Sequence, residues 1–141
     1  MLEETFFMIK PDGVARGLEE NILSRVEAIG LKVLAKRKLS FSAAQAADLY
    51  IPHLGKKFYP GLVRFITSGP VLACKVSGDG AIRKLRELMG DTDPLAAAAG
   101  TIRGDLREED VINEDGIIKN LVHGSDSPES ASRELEILFK K

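Results

Sequence analysis

The spacing of hydrophobic positions changes several times along the chain, and each change marks an element. Thr5-Phe-Phe-Met-Ile9 is an unbroken apolar run with aromatic and β-branched members, which predicts a central strand. Lys10-Pro-Asp-Gly13 ends it abruptly, so Lys10 is presented at a strand's end. Leu18, Ile22, Leu23 and Val26 recur at helical spacing until Gly30, and Leu31 to Leu39 alternates in part, as a half-exposed strand does. Ser42 is placed to cap a helix over 43–50. A second helix is predicted from Pro60 to Thr67, between the breakers Tyr59-Pro-Gly61 and Ser68-Gly-Pro70, and the two form a helical hairpin. Pro70 to Val76 predicts a third strand, and Gly80 to Met89 another helix, with Ile82, Leu85 and Met89 on one face and Gly90 as its stop. Regularity lapses over 91–119. A last strand ends near His123, and Ser127-Pro-Glu129 reads as an N-cap, a proline at the first helical position and an acid in the first turn of a helix from Pro128 to Phe139.

This order is the double βαβ of a ferredoxin-like α+β sandwich, a four-stranded antiparallel sheet with helices packed on one face. With no linker and no internal repeat, residues 1–141 form one expected domain.

Composition narrows the function classes. Of 141 residues, 44% are hydrophobic, enough for a core of some size, and twenty basic against twenty-one acidic residues leave a formal charge of -1. That balance advertises neither nucleic acid nor an anionic membrane, so any anion site must be local. Cys74, the single cysteine, lies in the apolar run Val71-Leu-Ala-Cys74, and with only His53 and His123 beside it no zinc constellation can be assembled. No signal-peptide pattern is present at the N-terminus, and no apolar run approaches the roughly 20 residues of a spanning helix. A cytoplasmic protein is expected.

The candidate chemistry centres on Asn120-Leu-Val-His-Gly-Ser-Asp-Ser127, which carries His123 out of an apolar run into a turn. In the following helix Ala131, Glu134 and Leu138 share one stripe, with Leu135 beside them, so a carboxylate stands where apolar residues are expected. A charge on a partly buried face needs a partner, and His123 is a candidate; the pairing would orient the ring and leave its other nitrogen free as a nucleophile. The same residues also fit a core histidine capped by a surface glutamate. Lys10, Arg86 and Arg103 each stand beside a break in regular structure and would suit a polyphosphate if they converged, although each alone fits a surface charge. Lys-Pro-Asp-Gly lacks the glycine spacing of a Walker-type loop. Tyr50 and Phe58 fit either exposed aromatics against a base or core residues.

Five ordered motifs, Lys10-Pro-Asp-Gly13, Phe58-Tyr-Pro-Gly-Leu62, Ser68-Gly-Pro70, Gly100-Thr-Ile-Arg-Gly-Asp105 and Asn120 to Ser127, occur in the same order and similar spacing as in nucleoside diphosphate kinases, and the chain resembles that family over nearly its whole length. The resemblance implies an enzyme that moves the terminal phosphoryl group of ATP or another nucleoside triphosphate to His123 and from phosphohistidine to a nucleoside diphosphate, by a ping-pong scheme. It also implies Mg²⁺ carried by the nucleotide phosphates with no direct protein ligand. Carried over by motif, Lys10, Arg86, Thr92, Arg103 and Asn120 contact phosphates or sugar, Phe58 stacks on the base with Leu62 and Ile117 beside it, and Tyr50 stands near the transferred group. Ser125 and Glu134 match positions that support the histidine. Stacking on an aromatic face tolerates any base, so broad base specificity is expected.

Three features depart from the common family pattern. Ala99 replaces a frequent proline, the segment between Asp105 and Asn120 is several residues longer, and the sequence runs only shortly past Phe139. The resemblance further implies a homo-oligomer, hexamer or tetramer. The extra segment, Arg107 to Asp115, is acidic and is expected as a surface excursion near the nucleotide cleft but outside the chemistry. The competing expectation is a catalytically inactive relative that binds nucleotides or proteins; a binding-only descendant has no need of the nucleophile that this chain retains.

Overall fold

A computed structural model describes residues 2–139. The sheet is built on β1 (Leu2–Ile9), whose residues from Thr5 onward are all buried. Side chains alternate along a strand, so Phe7 and Ile9 face one side and Phe6 and Met8 the other. β1 pairs antiparallel with β3 (Pro70–Asp79) and with the short β4 (Val122–Gly124), while β2 (Lys32–Ser40) pairs antiparallel with β3, in the order β2-β3-β1-β4. This is the four-stranded antiparallel sheet expected of a ferredoxin-like fold.

The helices cover both faces, not one. α2 (Glu19–Ala28) and α5 (Ala81–Met89) pack on Phe7, Ile9, Leu72, Cys74 and Val76. α3 (Ala43–Leu49), α4 (Tyr59–Ile66) and α7 (Pro128–Leu138) pack on Phe6, Met8, Val71 and Ala73. The correction follows from β1 and β3 themselves: their apolar residues run consecutively, so neither strand offers a polar face to water and both faces need a layer. Cys74 is a buried core residue, as expected, and burial pushes its thiol up to about 12.

Most helix limits follow the sequence. Ser42 caps α3 in a reciprocal capping box with Gln45, and Ser127 accepts from the Ser130 amide at 3.1 Å, with Pro128 at the first helical position. Ile82, Leu85 and Met89 are buried on α5. Two short helices escaped the periodicity, α1 (Pro11–Ala15) and α6 (Ile102–Leu106). Five residues are too few to establish a 3.6-residue period, and each helix contains a glycine for packing reasons. A Cβ at Gly13 would lie 2.7 Å from Ile9 Cγ2, and one at Gly104 only 2.1 Å from the Ala98 carbonyl oxygen.

β2 is an edge strand with the half-exposed character expected of it. Its register shifts between Val33 and Ala35, and Leu34 is half exposed. Among the described residues no helix is long and apolar enough to cross a membrane.

Candidate active site

His123 occupies the middle of β4, opposite Met8 of β1, and its ring lies 5.9 Å from that of Phe6 between centroids. The stripe of α7 places Ala131, Glu134 and Leu138 in the interior, and Glu134 is only 4% exposed. Its Oε1 accepts from His123 Nε2 at 2.7 Å and from the Ser125 hydroxyl at 2.7 Å, and its Oε2 accepts from Arg133 at 3.3 Å. Burial alone raises the carboxyl's affinity for a proton, but the hydrogen bond and charge of His123, the Ser125 hydroxyl and Arg133 together hold it below the ordinary glutamate range. A carboxylate so held fixes the ring through Nε2 and leaves Nδ1 outside the pair. With its side chain 22% exposed, His123 is accessible from the cleft and is not a sealed core residue.

The turn before His123 is held from both sides. Leu121 adopts φ 72°, a left-handed conformation costly for a side chain of its size. Asp12 Oδ2 accepts from the Leu121 amide at 3.0 Å, and the Lys10 amide donates to the Leu121 carbonyl at 2.8 Å. Arg103 is buried and donates to three carbonyls: Nε to Asn120 at 3.0 Å, Nη1 to Gly90 at 3.1 Å and Nη2 to Val122 at 2.7 Å. Arg86 Nη1 donates to the Gly124 carbonyl at 3.2 Å. The backbone that carries His123 is therefore bracketed by Asp12, Arg103 and Arg86.

Lys10 is buried and donates from Nζ to Asn120 Oδ1 at 2.8 Å, and Asn120 Nδ2 donates to the Thr92 carbonyl at 3.1 Å. Burial, and then the charge of Arg103, lower Lys10 to about 8, with Asp12 opposing. Burial and the neighbouring Arg86 lower Arg103 to about 10. Two cations are thus held in an interior that disfavours them, which an anion bound beside them would reverse.

These groups meet in one cleft of about 620 Å³. Lys10, Tyr50, Phe58, Leu62, Arg86, Thr92, Arg103, Ile117, Asn120, His123 and Glu134 all line it. Ser125 stands behind the cleft wall, against Glu134. Phe58 is 43% exposed, whereas Tyr50 is 5% exposed and forms core and cleft wall at once. The Tyr50 hydroxyl is buried without a hydrogen-bond partner among the described residues, and burial, then Glu134, push its pKa up.

Residues that the sequence reading did not single out also belong to the cleft. His53, in a 3₁₀ turn over Ile51–His53, lies between the Tyr50 and Phe58 rings, at 6.1 and 5.4 Å. Arg133 ties α7 to α3 through the Asp48 carbonyl at 2.6 Å. Asp12 was visible only as part of Lys-Pro-Asp-Gly, and nothing in a single sequence marks it as the brace of a turn more than a hundred residues away. Among the described residues no group of three or more His, Cys, Asp or Glu side chains is arranged to hold a metal ion. The cleft's donors are cations, amides and hydroxyls, which fit phosphate oxygens and, through them, a divalent ion carried by the phosphates.

The chain is similar to known proteins over nearly its full length. The family profile described as nucleoside diphosphate kinase matches residues 3–141. The nucleoside diphosphate kinase of Methanosarcina barkeri is 48% identical over 139 residues, covering 99% of this chain and 89% of the relative. One from Listeria monocytogenes is 46% identical over 138 residues, covering 98% and 89%. A solved nucleoside diphosphate kinase of Halobacterium salinarum in complex with CDP superposes with TM-score 0.89 at 43% identity, covering 100% of this chain and 90% of that one. A transition-state mimic of the Borrelia burgdorferi enzyme with bound vanadate and ADP superposes with TM-score 0.90 at 36% identity, covering 99% and 88%. By profile and by identity over nearly its full length, this chain belongs to the nucleoside diphosphate kinase family.

Proposed function

We propose that the chain is a nucleoside diphosphate kinase in which Nδ1 of His123 takes the terminal phosphoryl group of a nucleoside triphosphate and passes it to a nucleoside diphosphate. The observation that carries this reading is the Nε2 to Oε1 bond of 2.7 Å between His123 and Glu134 at the wall of a cationic cleft. Glu134 keeps the Nε2 proton in place, so Nδ1 presents a lone pair. As Nδ1 bonds to phosphorus and the bond to the leaving diphosphate breaks, the ring gains positive charge, which the carboxylate stabilises.

Phosphoryl transfer asks mainly for positioning and charge stabilisation. Lys10, Arg86, Arg103, Thr92 and Asn120 grip the phosphates and sugar, and Tyr50 donates its free hydroxyl to the group in transfer. Phe58 stacks on the base, with Leu62 and Ile117 beside it. Mg²⁺, carried by the phosphates, supplies further neutralisation of their charge. Residues 1–141 act as one catalytic domain in the cytoplasm. The partly exposed edge strand β2, with Leu34 and the unpaired backbone of its outer side, favours assembly as a homo-oligomer, hexamer or tetramer. A relative that only bound nucleotide would have no use for a carboxylate-oriented imidazole.

The direct test is incubation with γ-labelled ATP and Mg²⁺, removal of nucleotide, and addition of unlabelled GDP. The expected result is an acid-labile label on the protein that leaves as GTP. A protein that binds ATP and never takes label is the inactive relative.

The lowered Lys10 gives a pH dependence with a definite sign. Below about 8 the free enzyme holds an ammonium ready for phosphate, and above it the ammonium is lost. The expected kcat/KM therefore falls as pH rises through about 8, while kcat at saturation holds to higher pH because bound phosphate draws the proton back. Folding shifts the opposite way: the unfolded chain binds this proton more tightly, so Lys10's penalty on stability is relieved as pH rises from about 8 towards 10.5. In Lys10→Gln the limb near 8 disappears from a lowered kcat/KM profile; a wild-type profile flat through pH 9 contradicts the assignment.

A further inference from the structure

The acidic segment does not project freely from the surface. Its chain folds back on itself: the Lys119 amide donates to the Val111 carbonyl at 2.7 Å and the Asn113 amide to the Ile117 carbonyl at 3.0 Å. Asn113 Oδ1 accepts from the amides of Asp115 and Ile117, both at 2.9 Å, and Gly116, at φ 75°, completes the turn. The returning leg delivers Ile117, 5% exposed, to the cleft wall that also holds Phe58 and Leu62.

Two contacts join this turn to α4, the helix that begins beside Phe58. Asp115 accepts from Arg64 at both oxygens, Nε to Oδ2 at 3.1 Å and Nη2 to Oδ1 at 2.9 Å. Gly61, in the first turn of α4, leaves little space: a Cβ there would lie 3.0 and 3.1 Å from Ile117 Cγ1 and Cδ1 and 3.2 Å from Asp115 Cβ. The turn thus meets α4 through Asp115, at Arg64, and through Ile117, at Gly61, the residue before Leu62. Neither Arg64 nor Asp115 lines the cleft.

We infer that the Arg64–Asp115 pair is a latch that seats Ile117 against α4 and so fixes the wall against which a nucleotide base lies, which makes both charged residues positioning residues for the base. The inference rests on the base-binding role given above to Phe58, Leu62 and Ile117. A two-point guanidinium–carboxylate pair fixes direction as well as distance, which suits a latch. It is also exposed, Arg64 at 62% and Asp115 at 34%, so its loss loosens the turn and leaves the buried sheet intact.

The test compares acceptors with and without a base. In Arg64→Gln and in Asp115→Asn, KM for ADP and GDP is expected to rise about three- to five-fold with kcat nearly unchanged, the range that one exposed pair can supply. KM for ribose 5-diphosphate, which has phosphates and sugar but no base, is expected to stay put. The exchanged pair Arg64→Asp/Asp115→Arg is expected to recover most of the loss. An equal rise for ribose 5-diphosphate, no rise for ADP, or no recovery in the exchanged pair overturns the latch. A wild-type chain that transfers no phosphoryl group at all sinks the kinase reading separately. The latch is then judged by amide exchange at Ile117 and Lys119: faster exchange in Arg64→Gln supports it, and unchanged exchange overturns it.

Discussion

His123→Ala is expected to abolish phosphoenzyme formation and to lower nucleoside diphosphate kinase turnover by roughly 10⁴-fold or more, as removal of a covalent nucleophile does. Nucleotide binding is expected to survive nearly intact. Lys10, Arg86 and Arg103 keep their places, because their bonds run to Asn120, Gly124 and the carbonyls around the turn and none runs to the imidazole. Glu134 keeps Ser125 and Arg133 as partners, so the fold is not left with an isolated buried charge. Glu134→Gln is the informative companion. It preserves shape and replaces a charge-assisted bond with a neutral one, a change of about 1–2 kcal/mol in the transition state and hence a slowing of about ten-fold. Equal single-turnover rates in this variant and the wild type remove Glu134 from its role, and ping-pong turnover persisting in His123→Ala removes His123 from its own.

The second large effect is expected at Arg103, and it falls on stability as well as activity. Arg103→Met removes a donor from three carbonyls and leaves those of Gly90 and Val122 unmet, while that of Asn120 keeps the Val122 amide at 2.8 Å. Unmet buried acceptors cost about 1–3 kcal/mol each, partly offset because a buried cation is also removed, and a net loss of about 3 kcal/mol is expected. For a chain of this size that lowers Tm by about 10 °C. Phosphorylation at a temperature where the variant is still folded is expected to fall too, since Asn120 and Leu121 lose the bracket that aims Lys10 and His123. Arg103→Lys is not a rescue: one ammonium cannot span three carbonyls on two segments. Calorimetry and single-turnover labelling check both halves, and a Tm within 2 °C of wild type with normal labelling removes the bracket.

The parts of this molecule that were legible in its sequence are those with long periodicity or dense local chemistry. The β1 run, the α5 face Ile82, Leu85 and Met89, and the α7 stripe with its misplaced Glu134 each announce themselves over several residues, and all are found as expected. The pairing of Glu134 with His123 could be argued from burial alone, because a carboxylate on an apolar stripe needs a donor. Arg103 shows where such reasoning stops. Its residue type and its place beside a break suggested a cation for phosphate, but only the fold shows that all three guanidinium nitrogens are engaged by backbone carbonyls. Asp12 and Leu121 are farther still from what a single sequence can yield, since their contact joins residues 109 positions apart through one amide. The acidic segment was legible in its charge and its surface position. Its turn was not, because Asn113 and Asp115 act through individual bonds, to Ile117 and Arg64, that leave no periodic mark.

The one-faced layer expected of the helices failed for a physical reason already present in the chain. Val71 to Cys74 and Phe6 to Ile9 are consecutive buried residues, and such runs belong to strands covered twice.

On the proposed mechanism His123, oriented by Glu134 through Nε2, carries the phosphoryl group on Nδ1. The most direct measurement of this is phosphorus–nitrogen correlation NMR on the ¹⁵N-histidine-labelled phosphoenzyme, formed with ATP and Mg²⁺ and cleared of nucleotide. The predicted result is a single phosphohistidine, at His123, with phosphorus coupled to Nδ1 and a proton retained on Nε2. Phosphorus on Nε2, on His53 or on any residue other than His123 contradicts it.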